Sequence, residues 1–312
     1  MSCYLGIDTS NYTTSVCLYD DAGGEVVSRR RLLPVREGEL GLRQSDAVFH
    51  HVQQLPELFE SALDGFDGDI RAIGVSYAPR TAEGSYMPCF TVGVTAARVL
   101  SSALRVPVYK FSHQQGHIAA ALYSVGRLDL LDKKHIAFHV SGGTTEALTV
   151  NGTDGFVTTE ITAQTLDLNA GQLIDRIGVI LGLSFPCGRE LEKLALSCTE
   201  KVTAKATLKG LDCCLSGGQN IAERYLKEGK SREYIARFAM EFVSAAICGM
   251  SERIRESCGD LPFVYAGGVM SDSIIRDRLQ SSFDCVFAKP EFSSDNAAGT
   301  AVLAAVKDNN SL

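Results

Sequence analysis

Two stretches of this chain open in the same way, and that repetition constrains the fold more than any other feature. "YLGIDTSNYTTSVCLYDDAGGEVVSRR" begins at residue 4, and "IAFHVSGGTTEALTVNGTDGFVTTEI" begins at residue 136. Each reads as an apolar strand, a turn of small hydroxylated residues, an alternating strand, a glycine-containing turn and a third strand. A repeated strand–turn–strand opening predicts a duplicated α/β unit. The division between the copies is placed at residue 132, giving domains 1–132 and 133–312.

After each opening, strands and helices alternate. "IRAIGVSYA" (70–78) is a β-branched strand, "CFTVGVTAARVLSSAL" (89–104) a helix of small residues, and "VPVYKF" (106–111) another strand. In the second half, 231–257 is strongly helical, with Ile235, Phe238, Ala239, Phe242, Val243, Ala246, Ile247 and Met250 recurring on one face as core. Strand "PFVYAGG", helix "VMSDSIIRDRL", strand "DCVFA" and helix "DNAAGTAVLAAV" follow. This alternation predicts α/β sheets covered on both faces.

The length of 312 residues, 45% of them hydrophobic, is enough for two cores. No apolar run reaches the roughly 18 residues of a membrane span. The start, "MSCYLGIDTS", lacks the basic region and cleavage site of a secretory signal. Ten cysteines without a C-x-x-C pair read as reduced thiols of a cytoplasmic protein. A net charge of −7 argues against an unaided grip on nucleic acid. Such a role would need a partner subunit or a local patch, and "SRRRLLPVR" (28–36) is either that patch or a solvated strand edge.

The candidate chemistry begins with "FSHQQGHIAA" (111–120). Ser112 and Gln115 fit a capping box that starts a helix at His113. His113 and His117, four apart, then share one helix face. They are either two ligands of one cation or two imidazoles that share a face. A metal site needs more than two ligands. Asp295, in "PEFSSDNAAGTA", would complete a two-histidine, one-carboxylate set with open positions, suited to iron or zinc; its other reading is a helix N-cap.

Four short loops follow strands: "DTSNYTT" (8–14), "SGGTTE" (141–146), "LSGGQN" (215–220) and "AGGVMSD" (266–272). Glycines there bring backbone N–H groups close to an anion, and hydroxyls add donors. Neither a P-loop nor a G-x-G-x-x-G run is present. Each loop alone reads more readily as a turn than as a phosphate cradle, and it is because two of them occupy equivalent places in the repeat that a nucleotide or acyl phosphate held between two lobes is favoured. Ser141, Gly142, Gly143 and Thr144, with Gly267 and Gly268, are the candidate phosphate contacts. Asp8, ending the first strand, either holds a metal or water or caps a turn. In "TLDLNAGQLIDRIGVILGLSFPCGRELEKLA" (165–195), a helix is read from Gly171 onward, with Asp167 as its cap and Asp175 one turn later, facing a ribose hydroxyl. Glu190 is read as a surface acid in the first turn of the next helix.

Over nearly the whole chain the ordered motifs resemble those of the tRNA threonylcarbamoyladenosine transferase family. The family's GI-E-T-S opening looks like "GIDTS", its H-x-E-G-H helix like "HQQGH", and its "VSGGHT" like "VSGGTT". "DLNAGQLIDR", "LGLSFPCGRELEK", "AGGVMSD" and "SSDNAA" match further family motifs in order, and "CLSGGQN" echoes one faintly. The resemblance implies a duplicated actin-like ATPase (ASKHA, RNase H-like) fold of two lobes with a central cleft, the last helix returning onto the first lobe. It implies His113, His117 and Asp295 as ligands of a divalent metal, iron or zinc, with magnesium as a companion of the nucleotide. It implies Ser141, Gly142 and Gly143 at the phosphate, and Asp167, Gly171, Asp175 and Asp272 around an adenine nucleotide or acyl-adenylate. Position 272 is usually Asn in the family. The implied reaction moves threonylcarbamoyl from its adenylate to N6 of adenine 37 in tRNA, with Asp8 and Ser141 as the catalytic candidates. Implied partners are tRNA reached through partner proteins, in a homodimer or heteromeric complex, and no membrane. The chain departs from the family at Asn11, Tyr12 and Thr13, at Thr144 and at Gln172. These departures leave two alternatives: a diverged paralogue with another acyl acceptor or with nucleotide hydrolysis, and a non-catalytic scaffold.

Overall fold

The computed structural model describes residues 2–34, 42–153, 156–293 and 296–309. The chain divides into two compact units. One comprises residues 1–133, 151–159 and 291–312, the other residues 134–150 and 160–290.

The first unit is built on a five-stranded sheet of β1 (Ser2–Thr9), β2 (Thr13–Asp20), β3 (Glu25–Leu32), β4 (Asp69–Ala78) and β5 (Val108–Ser112), in the order β3-β2-β1-β4-β5. β1 runs antiparallel to β2 and parallel to β4. From Cys3 onward every residue of β1 is buried, because the central strand is covered on both faces. Helices α1 (Gln44–Leu63), α2 (Phe90–Leu104), α3 (His113–Ser124) and α9 (Ala298–Asn309) complete the unit. The capping box is in place: Gln115 N donates to Ser112 Oγ at 3.2 Å, and Ser112 N donates to Gln115 Oε1 at 2.7 Å. Two arginines of 28–34 are held against α1, Arg29 on Ser61 at 2.9 Å and Arg31 on Glu57 at 2.6 Å, while Arg30 donates to the Glu291 carbonyl at 3.4 Å. The rest of that basic run lies outside the described residues.

Two glycines set how closely α9 approaches the sheet. Gly6 and Gly74 are register partners across β1 and β4. A Cβ at Gly6 would lie 2.2 Å from the Ala297 carbonyl oxygen, and one at Gly74 would lie 2.0 Å from that of Thr300. Gly299 makes a similar approach to α3, where an added Cβ would sit 1.8 Å from the Gly116 carbonyl oxygen. At its far end α9 is fixed through Asp308, which accepts from Tyr4 Oη at 3.3 Å and Tyr109 Oη at 3.2 Å and pairs with Arg71 at 3.2 Å.

The second unit repeats the plan. Its sheet has β6 (His135–Val140), β7 (Thr145–Thr153), β8 (Phe156–Gln164), β11 (Phe263–Ala266) and β12 (Cys285–Phe287), in the order β12-β11-β6-β7-β8. β6 is antiparallel to β7 and parallel to β11, as β1 is to β2 and β4. The duplication legible in the two openings is therefore a duplication of sheet topology. A two-stranded ribbon of β9 (Thr207–Lys209) and β10 (Asp212–Cys214) is added, with helices α4 (Ala170–Ile180), α5 (Gly188–Leu196), α6 (Ser216–Lys227), α7 (Arg232–Cys258) and α8 (Ser273–Gln280). The apolar stripe of α7 is buried as its spacing predicts, and the helix stops at Gly259 with φ 87°.

Three local expectations are corrected. "LSGGQN" is not a loop: α6 begins at Ser216, and Gly218 lets it pack on Phe242, whose ring atoms would lie 2.9 Å from an added Cβ. "VMSDSIIRDRL" is not one helix: a 3-10 turn over Gly268–Ser271 ends at Asp272, whose extended backbone and side chain start α8. Asp167 does not cap α4: that role falls to Asn169, whose N–H donates to Gln172 Oε1 at 3.2 Å.

All ten cysteines are free thiols, six of them buried. Among the described residues no helix is long and apolar enough to cross a membrane.

His51 on α1 is fully buried. Its Nε2 lies 2.9 Å from the Ser10 carbonyl and donates to it, and its Nδ1 lies 2.7 Å from the Thr14 hydroxyl, which donates to Gln54 Oε1 at 2.9 Å. Burial pushes its pKa down to about 4. Between that value and an ordinary one of about 6.5, the unfolded chain binds the extra proton, so stability contributed by His51 rises with pH. Urea unfolding should show it: stability falls by up to about 3 kcal/mol from this residue between pH ~6.5 and ~4. In His51→Gln that part of the slope is absent.

Candidate functional site

In the first unit β1 delivers Asp8 to the start of α3. Asp8 is wholly buried, and its Oδ1 lies 2.8 Å from His113 Nδ1. A carboxylate there accepts the Nδ1 proton and leaves the Nε2 lone pair facing outward, the arrangement that orients metal-binding imidazoles. One turn along α3, the His117 ring stands edge-on to His113 with centroids 4.3 Å apart, and the two Nε2 atoms are 2.9 Å apart. Nitrogens at this spacing share one proton or converge on one cation. Among the described residues no cluster of three or more His, Cys, Asp or Glu is gathered as a metal site. Asp295, the expected third ligand, lies outside the described residues. Asp8 was read as a metal, water or turn contact; the structure places it behind His113.

In the second unit the loop after β6 turns tightly. Ser141 N donates to the Thr144 carbonyl at 2.7 Å. The Ser141 hydroxyl accepts from Gly143 N at 3.3 Å and Thr144 N at 3.1 Å, so two amides converge on one oxygen. The loop is locked to α4 by Gly171 N, which donates to the Ser141 carbonyl at 3.1 Å. Gly171 is obligatory there, since a Cβ would come within 2.7 Å of Gly142 Cα. Gly267, at φ 103°, passes under β6, where a Cβ would meet the Val140 carbonyl oxygen at 2.2 Å. Gly142, Gly143 and Gly268 have open space on the side a Cβ would take.

A cavity of about 620 Å³ opens beside this loop, its wall including Gly142, Gly171, Asp175, Gly268 and Asp272 of the expected set. Arg189, Glu192 and Met240 complete much of the remainder. The sequence reading passed over Arg189 and Glu192, although their spacing of three on a predicted helix puts them on one face. Asp175 accepts from Cys187 N at 2.8 Å and so fixes the "FPCG" turn that leads into α5. Asp272 caps α8 through Ile275 N at 3.0 Å, and burial pushes its carboxyl up to about 6.

Asp167 goes elsewhere. Its carboxylate accepts from Leu215 N at 2.7 Å and from the Ser216 hydroxyl at 2.6 Å, closing the start of α6. Burial raises its proton affinity, but the Ser216 hydroxyl and the surrounding amides outweigh that and hold the carboxyl below its usual value.

A family model described as TsaD, tRNA N6-adenosine threonylcarbamoyltransferase, matches residues 38–302. A tRNA N6-adenosine threonylcarbamoyltransferase of Methanopyrus kandleri is 27% identical over 303 residues, covering 94% of this chain and 84% of that protein. A "Probable bifunctional tRNA threonylcarbamoyladenosine biosynthesis protein" of Methanothermobacter thermautotrophicus is 28% identical over 300 residues, covering 94% of this chain and 54% of its own length. This chain thus spans about half of that bifunctional relative. Full-length HypF, solved in its phosphate- and nucleotide-bound form, has a TM-score of 0.60 at 16% identity, over 99% of this chain and 46% of HypF. That likeness speaks to fold alone, and it agrees with the duplicated actin-like architecture that the motifs imply. With most of its length matched to one family and its two sheets built on one repeated plan, the chain belongs to the tRNA N6-adenosine threonylcarbamoyltransferase family.

Proposed function

We propose that the protein transfers a threonylcarbamoyl group from threonylcarbamoyl-adenylate to N6 of adenine 37 in tRNA. The observation that carries the reading is the cavity wall: loops chosen from sequence as anion cradles, around Gly142 and Gly268, meet there with Gly171, Asp175 and Asp272. In this reading the adenylate occupies the cavity, Arg189 supplies positive charge near the phosphate, and the amides now converging on Ser141 Oγ become phosphate donors. Fixed donors of this kind act without reorganising during the reaction. The N6 nitrogen attacks the carbamoyl carbonyl carbon, the bond from that carbon to the phosphate oxygen breaks, AMP leaves with the electron pair, and N6 loses a proton.

His113 and His117 fit a divalent metal, because the Asp8 contact sets the His113 tautomer that ligation requires and the two Nε2 atoms already converge. Asp295 is the proposed third ligand. A bound iron or zinc supplies Lewis-acid polarisation of substrate oxygens. Asp8 acts by positioning His113. Replacing Asp8 with Asn, which offers Nδ1 the wrong partner, is expected to lower metal affinity by about 10–100-fold. Metal titration of the purified variant checks this.

The acidic balance of the chain supports tRNA recruitment through partner proteins, and the ten free cysteines support a cytoplasmic setting. The reading is tested by incubating the purified protein and its partners with tRNA and synthesised threonylcarbamoyl-adenylate, then measuring the modified nucleoside by mass spectrometry. Unmodified tRNA in the presence of all components would end it.

A further inference from the structure

One carboxylate oxygen in the cavity wall has no hydrogen-bond partner among the described residues. Asp272 is 6% exposed. Its Oδ1 is committed to Ile275 N, and its Oδ2 is buried without a hydrogen bond. The charges around it come from several elements. On α5, Glu192 faces it as an anion and accepts from Ser273 N at 2.8 Å and the Ser273 hydroxyl at 2.7 Å. On α7, Arg237 acts from further off and is paired with Glu241 at 2.8 Å. On α8, Arg276 stacks on Phe287 and Arg278 turns to Glu241, while Asp277 adds a further acid. Asp175 of α4 and Arg189 of α5 share the cavity wall. Burial is the main influence on the Asp272 carboxyl; the Ile275 and Ile274 N–H groups oppose it and Glu192 adds to it.

A nucleotide entering this cavity would exclude water and bring a negative phosphate. Both effects favour the neutral form of a buried carboxyl. Resting on the nucleotide reading of this cavity, we propose that Asp272 takes up one proton from solvent as an adenine nucleotide binds, and donates it from Oδ2 in a hydrogen bond to an acceptor atom of the ligand. A neutral carboxyl offers one donor and one acceptor, whereas the ionised form offers acceptors alone. Oδ1 remains the acceptor that caps α8, so the donor is the atom left for the ligand. Nucleotide affinity in this protein is thereby coupled to pH, which an asparagine would not permit.

The probe is the methyl ester of AMP, whose phosphate carries a fixed charge near neutrality. Calorimetry in buffers of differing ionisation enthalpy counts the protons taken up. Near pH ~7.5 the wild-type protein is expected to take up close to one proton per nucleotide, and its Kd to rise toward about tenfold per pH unit above ~7. Asp272→Asn should bind with a Kd that is flat across this range and with no proton uptake. Glu192→Gln keeps an acceptor for Ser273 while removing the facing charge, and should move the onset of affinity loss to lower pH. Binding by the wild type without proton uptake overturns the inference alone, as does uptake that persists in Asp272→Asn. Failure of the wild type to bind the nucleotide at all would sink the nucleotide reading and this inference together.

Discussion

Replacing His117 with alanine is expected to lower tRNA modification by at least about 100-fold while leaving the fold intact. The argument starts from where the ring sits. His117 is half-buried, on the face of α3 that it shares with His113. Its loss leaves the Asp8–His113 hydrogen bond in place, so no buried carboxylate is stranded. A loss of this kind, with no charge stranded, is expected to cost about 1 kcal/mol of stability. In the proposed reading the loss falls on the metal instead, and second-layer changes alone already cost about 10–100-fold in affinity or activity. His113→Ala should be worse in a different way, because it removes a hydrogen-bond partner of a wholly buried carboxylate. The check is a pair of measurements on each variant, bound metal by elemental analysis and the modified nucleoside by mass spectrometry, beside an unfolding curve. Normal metal content and turnover in His117→Ala would remove the imidazole pair from the mechanism.

Gly74→Ala is expected to cost about 3 kcal/mol or more and to leave little folded protein. A single methyl group does this because its place is taken by backbone: it would sit 2.0 Å from the Thr300 carbonyl oxygen and 2.7 Å from the carbonyl carbon. A flexible side chain could swing away, but a helix backbone moves only as a whole. Moving α9 would open the contacts of Ala298, Ala301, Val302, Leu303, Ala304 and Ala305, all of them buried. Overpacking of an ordinary core costs about 1–3 kcal/mol, and a rigid obstacle lies at or above the top of that range. Gly217→Ala is the control. It lies in the first turn of α6 with nothing within 4 Å of the added methyl, and should be neutral or stabilising by up to about 1 kcal/mol. Urea midpoints for both variants decide the matter, and a Gly74→Ala protein as stable as the parent would show that α9 is not packed as described.

How much of this was legible in the sequence depends on the range of each signal. Local signals were read well. Ser112 and Gln115 announced the start of α3 because a capping box joins residues only three apart. The stripe of α7 announced its buried face for the same reason. The repeated openings were legible as a duplicated α/β unit, and in each sheet the three opening strands lie side by side. What was not legible depends on partners far away in the chain. Asp167 looked like the cap of the nearest helix, yet its partners are Leu215 and Ser216. Gly218 looked like part of an anion loop, but an aromatic ring is packed where its side chain would be. Asp8 looked like a first contact for a metal or water, and its partner His113 lies on another element. Arg189 and Glu192 were overlooked because only the folded wall distinguishes them from other surface charges on α5.

The glycine crossing of α3 and α9 has one more implication. Gly116 lies between the two imidazoles in sequence, and Gly299 faces it from about 180 positions downstream. Sliding α9 by one residue would turn it by about 100° and present a methyl or a hydroxyl-bearing side chain where only hydrogen fits. The helix therefore has a single seating, keyed like a tumbler in a lock. Because α9 packs on both β1 and α3, the imidazole pair has its full surroundings only once residues 298–309 are in place. A nascent chain halted before residue 298 would carry both histidines and still lack the support that seats them.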